Sequence, residues 1–295
     1  MIAGNQVVVP PHRTANATGG VLVKLSVLAV LLVACYFPML LMTGRTILFG
    51  DDMAHGLFAP MVALYIAWER RDLFLKPARP SLWSLPLLVV AGVLGFAATL
   101  AMSSTFSRFA FLISLAGCLL LAGGYVALRR LLFPLGLLLF TFPIPDVFYG
   151  QITQPLQLLA TRLSEFLLEL FGYSVLRDGN ILQLTHMSLS VVEACSGLRS
   201  LVTLTFFCLV YSYFFEHRFW MRASVTLLAA PAAILVNALR ITATGALGQH
   251  DPIWAKGIHH ESIGWTAFFV GAALVLLAHR VACLFLPQTA AEPAK

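Results

Sequence analysis

Long apolar segments, separated by short polar stretches, dominate the hydropathy pattern of the chain. A helix that crosses the ~30 Å hydrocarbon layer of a bilayer needs about 20 mostly apolar residues, and most of these segments approach that length. We therefore predict about eight transmembrane helices, of which the second and fifth are short for a full crossing. Their approximate ranges are 21–43, 56–68, 83–102, 109–128, 131–143, 198–215, 223–247 and 263–286.

The basic residues between the apolar segments predict the orientation of the chain, because short loops rich in Lys and Arg stay on the cytoplasmic side. With eight spans, the basic positions alternate so that both termini are cytoplasmic. The opposite loops carry most of the acidic residues, so the connection that precedes residue 198 is predicted on the outer face. The basic positions are Arg13, Arg70, Arg71, Lys76, Arg79, Arg129, Arg130, Arg218, Arg222 and Lys295.

The connection between Pro143 and Ser200 is long for a compact bundle, and long loops often carry function. Residues 152–171 have leucines and a phenylalanine at helical spacing, which predicts an amphipathic helix on the membrane surface or against the bundle. Residues 174–184 contain two short β-prone pieces around Asp-Gly-Asn and predict a hairpin. The fold class is therefore all-α, a polytopic membrane helix bundle with an outer-face amphipathic helix and a short β-hairpin-like loop.

Composition supports a membrane protein and argues against other classes. Hydrophobic residues make up 59% of the 295 residues, charged residues make up 11%, and the mean hydropathy is +0.87, whereas soluble domains have about 25% charged residues. The net charge of +6 is spread singly and in pairs, so we expect a lipid bilayer and no nucleic acid as a partner. We expect one transmembrane domain over residues 21–287, with cytoplasmic tails at 1–20 and 288–295.

Cys195 is the candidate nucleophile. Glu193, Ser196, Arg199 and Ser200 surround it in the sequence, and a thiol at a helix N-terminus near a cation becomes nucleophilic at neutral pH. The alternative is a small buried hydrophobic residue, as cysteines beside membrane helices often are. The spacing predicts neither a disulfide framework nor a metal site, and no cofactor is expected. The cysteines are Cys35, Cys118, Cys195, Cys208 and Cys283.

Arg240 lies inside an apolar segment, where an arginine costs about 3 kcal/mol or more unless it faces a partner or a polar cavity. Asn237 lies one turn earlier on the same face and could hold the guanidinium or a substrate carbonyl. The alternative is a structural arginine that snorkels or forms a salt bridge with Glu193 or Glu261. In the predicted topology, Arg240 lies near the outer face, as Cys195 does.

His259 and His260 come just before the last apolar segment. Histidine exchanges protons near neutral pH, and adjacent histidines on a helix point in different directions, so at most one of them would serve a given site. The alternative is a pair of hydrogen-bonded histidines at the membrane interface. No H-E-x-x-H motif is present, which argues against a zinc protease. A cysteine, a histidine and an arginine at one membrane face are the groups that cysteine acyl transfer needs.

The chain resembles the exosortase/archaeosortase family of polytopic membrane cysteine transpeptidases over most of its length. The residues that carry the resemblance include EACSGLRS at 193–200, NALRI at 237–241, and a histidine four residues before Gly264-Trp265. Further matches are AHG at 54–56, YIAWERR at 65–71, RLLFP at 130–134, FPIP at 142–145, QPLQ at 154–157 and GNI at 179–181.

The resemblance implies that Cys195 is the nucleophile, Arg240 the essential arginine and His260 the catalytic histidine, with His259 as the competing choice. It also implies cleavage of C-terminal sorting signals on secreted proteins that are tethered to the membrane. Such a signal has a short motif, often of the Pro-Glu-Pro type, a hydrophobic helix and a basic end. The implied location is the bacterial inner membrane with the active site at the periplasmic face, and exopolysaccharide-pathway proteins are further expected partners.

Two other functions remain open from the residues alone. A transporter for an exopolysaccharide or lipid precursor would use Arg240 and the histidines to line a polar pathway, but it would place ionisable groups at several depths. A non-catalytic membrane assembly factor would have an inert thiol at Cys195. Trapping a covalent adduct at this cysteine with an electrophilic peptide would separate the enzyme from both alternatives.

Overall fold

The structure is a computed structural model that describes residues 12–49, 54–75, 80–191, 197–255 and 257–285. The chain divides into two compact units, Met1–Phe142 and Pro143–Lys295. The expectation of a single transmembrane domain over residues 21–287 stays a prediction.

The first unit consists of helices packed around a long central helix. Its helices are α1 (His12–Phe49), α2 (Phe58–Glu69), α3 (Asp72–Leu75), α4 (Ser84–Leu100) and α5 (Ser104–Leu137), with short 3-10 turns at Ala54–Gly56 and Leu138–Thr141. Helix α5 packs against α1, α2 and α4. It approaches α4 closely at Gly117, where a Cβ atom would lie 2.8 Å from the Leu88 side chain. Small residues therefore allow the two helices to pack tightly.

A kink divides α5 into two helical stretches. It falls at Gly124, whose backbone is not helical, with φ at 66° and ψ at −167°. This conformation is accessible to glycine because it has no Cβ atom. The predicted span at 109–128 crosses the kink, and the predicted span at 131–143 covers the end of α5 and the 3-10 turn that follows. By length and apolar composition the stretch Ser104–Thr141 is a single candidate span, so the two spans predicted there are not confirmed.

The second unit has four helices and a small sheet. Its elements are α6 (Asp146–Leu170), β1 (Val175–Asp178), β2 (Ile181–Leu184), β3 (Ser188–Ser190), α7 (Leu198–Phe215), α8 (Phe219–His250) and α9 (Gly257–Phe285). The three strands are antiparallel in the order β1-β2-β3. The predicted hairpin at 174–184 is confirmed as β1 and β2, and β3 extends it by a strand that the pattern did not predict.

Two apolar clusters form the core of this unit. In one, α7, α8 and α9 pack through small and medium side chains such as Cys208, Ala229 and Val275. In the other, α6, the sheet and α8 meet around Leu168, Leu182, Val191 and Ile241. The second cluster attaches the sheet to the helices, so the segment that leads from β3 towards α7 starts from a fixed position.

The helix predicted at 152–171 is confirmed as part of α6, but its packing face is not the one that the leucine spacing indicates, and its place at the outer face stays a prediction. Phe166 and Leu170 of the predicted apolar face are exposed, whereas Thr161, Ser164 and Leu168 are buried. The Ser164 hydroxyl donates a hydrogen bond to the Ala238 carbonyl of α8 at 3.1 Å. Small side chains permit this close helix contact, and the larger apolar side chains remain on the outside.

Five helices among the described residues are long and apolar enough to cross a membrane, so eight spans are not confirmed. Helices α2 and α4 are apolar but shorter than the length required of a candidate span, with bounds Phe58–Glu69 and Ser84–Leu100. The helices expose many large apolar side chains, as expected of surfaces that face lipid. The five candidate spans are Val23–Phe49, Ser104–Thr141, Leu198–Phe215, Phe219–His250 and Gly257–Phe285.

Candidate functional site

The structure brings Arg240 and His260 into direct contact. Arg240 is buried in α8, and His260 lies in the first turn of α9, after a 3-10 turn at Pro252–Ala255 that reverses the chain. The Nη2 atom of Arg240 lies 2.9 Å from Nε2 of His260. A guanidinium can only donate hydrogen bonds, so Nε2 of His260 is the acceptor and the imidazole is neutral in this contact.

Gly264 provides the space for the Arg240 side chain. It lies one turn after His260, and a Cβ atom built on it would be 3.5 Å from both Cζ and Nε of Arg240. The guanidinium therefore lies against the backbone of α9 at Gly264, while its end reaches His260. His259 lies in a different environment. Its ring centroid is 5.1 Å from that of Trp254.

Asn237 lies close to Gly197, the residue that precedes α7. Gly197 caps this helix with φ at 86°, and a Cβ atom on Gly197 would lie 2.9 Å from Nδ2 of Asn237, which is buried. Arg199, in the first turn of α7, is half-buried. Cys195 and Glu193 lie outside the described residues, so the predicted position of the nucleophile stays a prediction.

A small cleft adjoins the Arg240–His260 contact. The end of β3 forms one side of it, and the face of α8 that carries Arg240 forms another. Its lining residues are Leu189, Ser190, Val191, Arg240, Ile241, Thr244 and His260. A cationic donor and an imidazole therefore border a cleft with largely apolar walls, where electrostatic interactions are stronger than in water.

A second polar cluster, which was not predicted from the sequence, lies between the end of α7 and the last turns of α9. The Nε2 atom of His279 lies 3.2 Å from a carboxylate oxygen of Glu216 and 3.5 Å from Sγ of Cys283, and its Nδ1 atom lies 3.0 Å from the Tyr211 hydroxyl. Arg218 donates to Glu216 at 3.3 Å and to Cys283 at 3.5 Å. All these groups lie far along the helices from Arg240.

Glu216 is held ionised within this cluster. Burial by itself raises the pKa of Glu216, but hydrogen bonds from Arg218 and His279 outweigh burial and lower the pKa to about 2. The sequence contains a signal for the cluster, because His279 and Cys283 are four residues apart and share one face of α9. Hydropathy conceals this signal, since both residues lie within an apolar segment.

Glu216, His279 and Cys283 form the group of possible metal ligands found among the described residues, with donor atoms within 4.8 Å of one another. Arg218 already binds both the carboxylate and the thiol of this group. A metal ion would have to compete with that guanidinium for its ligands. The donor set therefore fits an internal ion-pair network better than a resident metal.

The comparisons with known proteins agree with this architecture. A family model described as transmembrane exosortase matches residues 44–277, which cover α2 to α8, most of α9 and the cleft. No curated protein and no solved structure gave a match. Because the family match extends over most of the chain, this membrane protein belongs to the transmembrane exosortase family.

Proposed function

We propose that the protein is a membrane-embedded cysteine peptidase and transpeptidase that cleaves C-terminal sorting signals of secreted proteins. We place it in the bacterial inner membrane with its active site at the periplasmic face. The signals consist of a short motif of the Pro-Glu-Pro type, a hydrophobic helix and a basic end. The observation that carries this proposal is the 2.9 Å contact between Arg240 and His260 beside the cleft.

Cys195 would supply the nucleophile. Its sulfur attacks the carbonyl carbon of the scissile peptide bond, and His260 accepts the thiol proton. The carbon–nitrogen bond then breaks, His260 returns the proton to the leaving amine, and the acyl group remains on Cys195 as a thioester. An amine or hydroxyl of the acceptor, or water, attacks the thioester and releases the Cys195 sulfur, which is protonated again.

Arg240 would have two successive partners in this reaction. Before substrate binds, its Nη2 atom donates to Nε2 of His260, so that nitrogen cannot also accept the thiol proton. When the scissile carbonyl becomes an oxyanion, the guanidinium is attracted to the negative charge. Transfer of Arg240 from the imidazole to the substrate oxygen would free Nε2 as a base, which couples proton transfer to substrate binding.

Other residues would position these groups. Asn237 contacts Gly197, two residues after Cys195, and would hold the turn that carries the nucleophile. Gly264 leaves room for Arg240. We assign supporting electrostatic roles to Glu193 and Arg199 on their sequence positions. His260 is preferred over His259 as the acid/base because it is the histidine in contact with Arg240.

Replacing the proposed nucleophile tests this function. The Cys195→Ala variant should abolish processing of a co-expressed substrate that carries a sorting signal, measured as the loss of the shortened product on a gel. The matched control is Cys208→Ala, because Cys208 is fully buried in the apolar core of α7 and should process normally. Normal processing by the Cys195→Ala variant, at normal membrane levels, would refute the proposal.

The packing of α7, α8 and α9 bears on the transporter alternative. Ionisable groups lie at two levels of these helices, at Arg240 and at Glu216. The apolar cluster around Cys208, Ala229 and Val275 lies between these two levels. A membrane enzyme with its chemistry at one face accounts for this arrangement better than a conduit does.

A further inference from the structure

Strand β3 lies at the edge of the three-stranded sheet. Among the described residues, β3 pairs with β2 alone. The Leu184 amide donates to the Met187 carbonyl, and the Val191 amide donates to the Asn180 carbonyl. Hydrogen-bonded and non-hydrogen-bonded pairs alternate in an antiparallel ladder. Since Met187 and Val191 are in hydrogen-bonded pairs, every second residue between them is not. The backbone groups of Ser188 and Ser190 therefore point away from β2.

The edge is both accessible and fixed in position. Ser188 and Ser190 are exposed, whereas Val191 is buried in the cluster that joins the sheet to α6 and α8. The Asn180 side chain donates a second hydrogen bond, at 3.1 Å, to the Val191 carbonyl. The strand is thus anchored on its inner side while its outer amides and carbonyls face outward.

This edge leads directly to the candidate active site. Leu189, Ser190 and Val191 line the same cleft as Arg240 and His260. Cys195 follows Val191 by only a few residues. A chain that lay along β3 would therefore enter the cleft where the proposed chemistry occurs.

We propose that β3 is the docking edge for the extended segment of the substrate that contains the scissile bond, which adds to the sheet as a fourth strand. Free strand edges pair readily with extended chains, and several protein modules bind peptides in this way. Ser188 and Ser190 would each exchange backbone hydrogen bonds with one substrate residue. This inference rests on the proposed function and adds how the substrate is held.

Register-specific cross-linking tests the strand directly. The protein would carry Cys195→Ala, to prevent turnover, together with Ser190→Cys. The probe is a secreted protein of the same genome with a C-terminal sorting signal, carrying a single cysteine at successive positions of its motif. After oxidation with copper phenanthroline, adducts should form at alternate substrate positions. Moving the enzyme cysteine with Ser188→Cys should shift the favoured substrate positions by two residues.

The cross-linking experiment has one control and three results that would contradict the inference. The Cys195→Ala protein without an added cysteine gives the background from the remaining thiols. The inference would be overturned if adducts formed equally at all substrate positions or if no adducts formed. A disulfide between two copies of the enzyme in place of the substrate adduct would also overturn it. Because cross-linking reports binding without cleavage, these results are independent of the Cys195→Ala processing assay, which tests the proposed function itself.

A proline provides a second test in the active enzyme. Ser190→Pro removes the amide that points to the free edge and leaves the hydrogen bonds to β2 intact, a position where strands tolerate proline. We expect processing to slow by about three- to tenfold, the loss expected from one hydrogen bond, while a small alkylating reagent still labels Cys195. The Ser190→Ala variant keeps the amide and should slow processing less than Ser190→Pro does. Normal processing by Ser190→Pro would contradict docking at this edge.

Discussion

Arg240 shows how a charged residue can be accommodated within an apolar helix. Its side chain is buried, its Nη2 atom contacts His260, and its guanidinium lies over Gly264. A buried charge is costly unless its surroundings provide partners, and here α9 supplies both an acceptor and the space. The sequence predicted that Arg240 needed a partner, but spacing could not choose between an acidic residue and a histidine. The identity of the partner depends on how α8 packs against α9, and this packing places His260 beside Arg240.

The adjacent histidines provide a matched pair of variants. His260→Ala should lower processing by about 10²- to 10⁴-fold, the usual contribution of a general acid/base. His259→Ala should process normally, because its ring lies beside Trp254 and not beside Arg240. The measurement is the rate at which the substrate is shortened in membranes that contain equal amounts of each variant. The reverse order of effects would transfer the catalytic role to His259.

Gly197 and Gly172 have similar positive φ angles, so the two positions separate the cost of the backbone conformation from the cost of a side-chain contact. Gly197→Ala should destabilise the protein by about 1–2 kcal/mol for the left-handed backbone, and further because its Cβ would lie 2.9 Å from Asn237. Gly172 has φ at 84°, and no atom lies within 4 Å of the position that a Cβ atom would take there. Gly172→Ala should therefore destabilise the protein only through the backbone conformation, without a side-chain clash.

Thermal unfolding in detergent measures the difference in stability between the two variants, and the rate of substrate processing measures the effect on activity. The Gly197→Ala variant should have the lower midpoint and should also lose activity, because Asn237 and residue 197 must move apart. The Gly172→Ala variant should retain activity. Equal effects of the two substitutions on both measurements would show that Asn237 does not constrain the turn.

At the scale of elements, hydropathy predicted most helices, and the β-prone pieces around Asp-Gly-Asn predicted the hairpin, but neither pattern showed how these elements pack. Helix α6 was expected from its leucines, yet it packs through Thr161 and Ser164, because close helix contact favours small side chains. Strand β3 was missed because Ser188, Leu189 and Ser190 are too few to form a recognisable alternation. Its pairing depends on β2 and on the buried Val191, which are tertiary features.

At the scale of the second unit, one polar cluster lies at the start of α8 and the end of α9. The other lies at Arg240, ten residues before the end of α8, and at His260 in the first turn of α9. About 22 residues separate Arg218 from Arg240, which corresponds to about 33 Å of helix, close to the ~30 Å thickness of a hydrocarbon layer. The apolar cluster of α7, α8 and α9 fills the distance between them. The cluster at Glu216 thus joins the ends of three helices, while the Arg240–His260 pair borders the cleft at the other end.

The Glu216 cluster should make stability depend on pH. The pKa of Glu216 is lowered from 4.5 to about 2 in the folded protein, so the unfolded chain binds the proton more readily. The stability that this carboxylate contributes is therefore complete above pH 4.5 and is lost as the pH falls towards 2. A Glu216→Gln variant lacks this contribution and also disturbs the contacts to Arg218 and His279.

Unfolding midpoints in detergent at pH 6 and pH 3 test this expectation. Glu216→Gln should lower the midpoint at pH 6, and its midpoint should fall less than that of the parent protein between the two pH values. Glu169→Gln is the control, since it removes an exposed carboxylate of α6 with the same change of charge, and it should follow the parent. A Glu216→Gln variant whose midpoint falls as steeply as the parent's would show that another group produces the acid sensitivity. In that case the ion pair with Arg218 would not be what holds the ends of α7, α8 and α9 together.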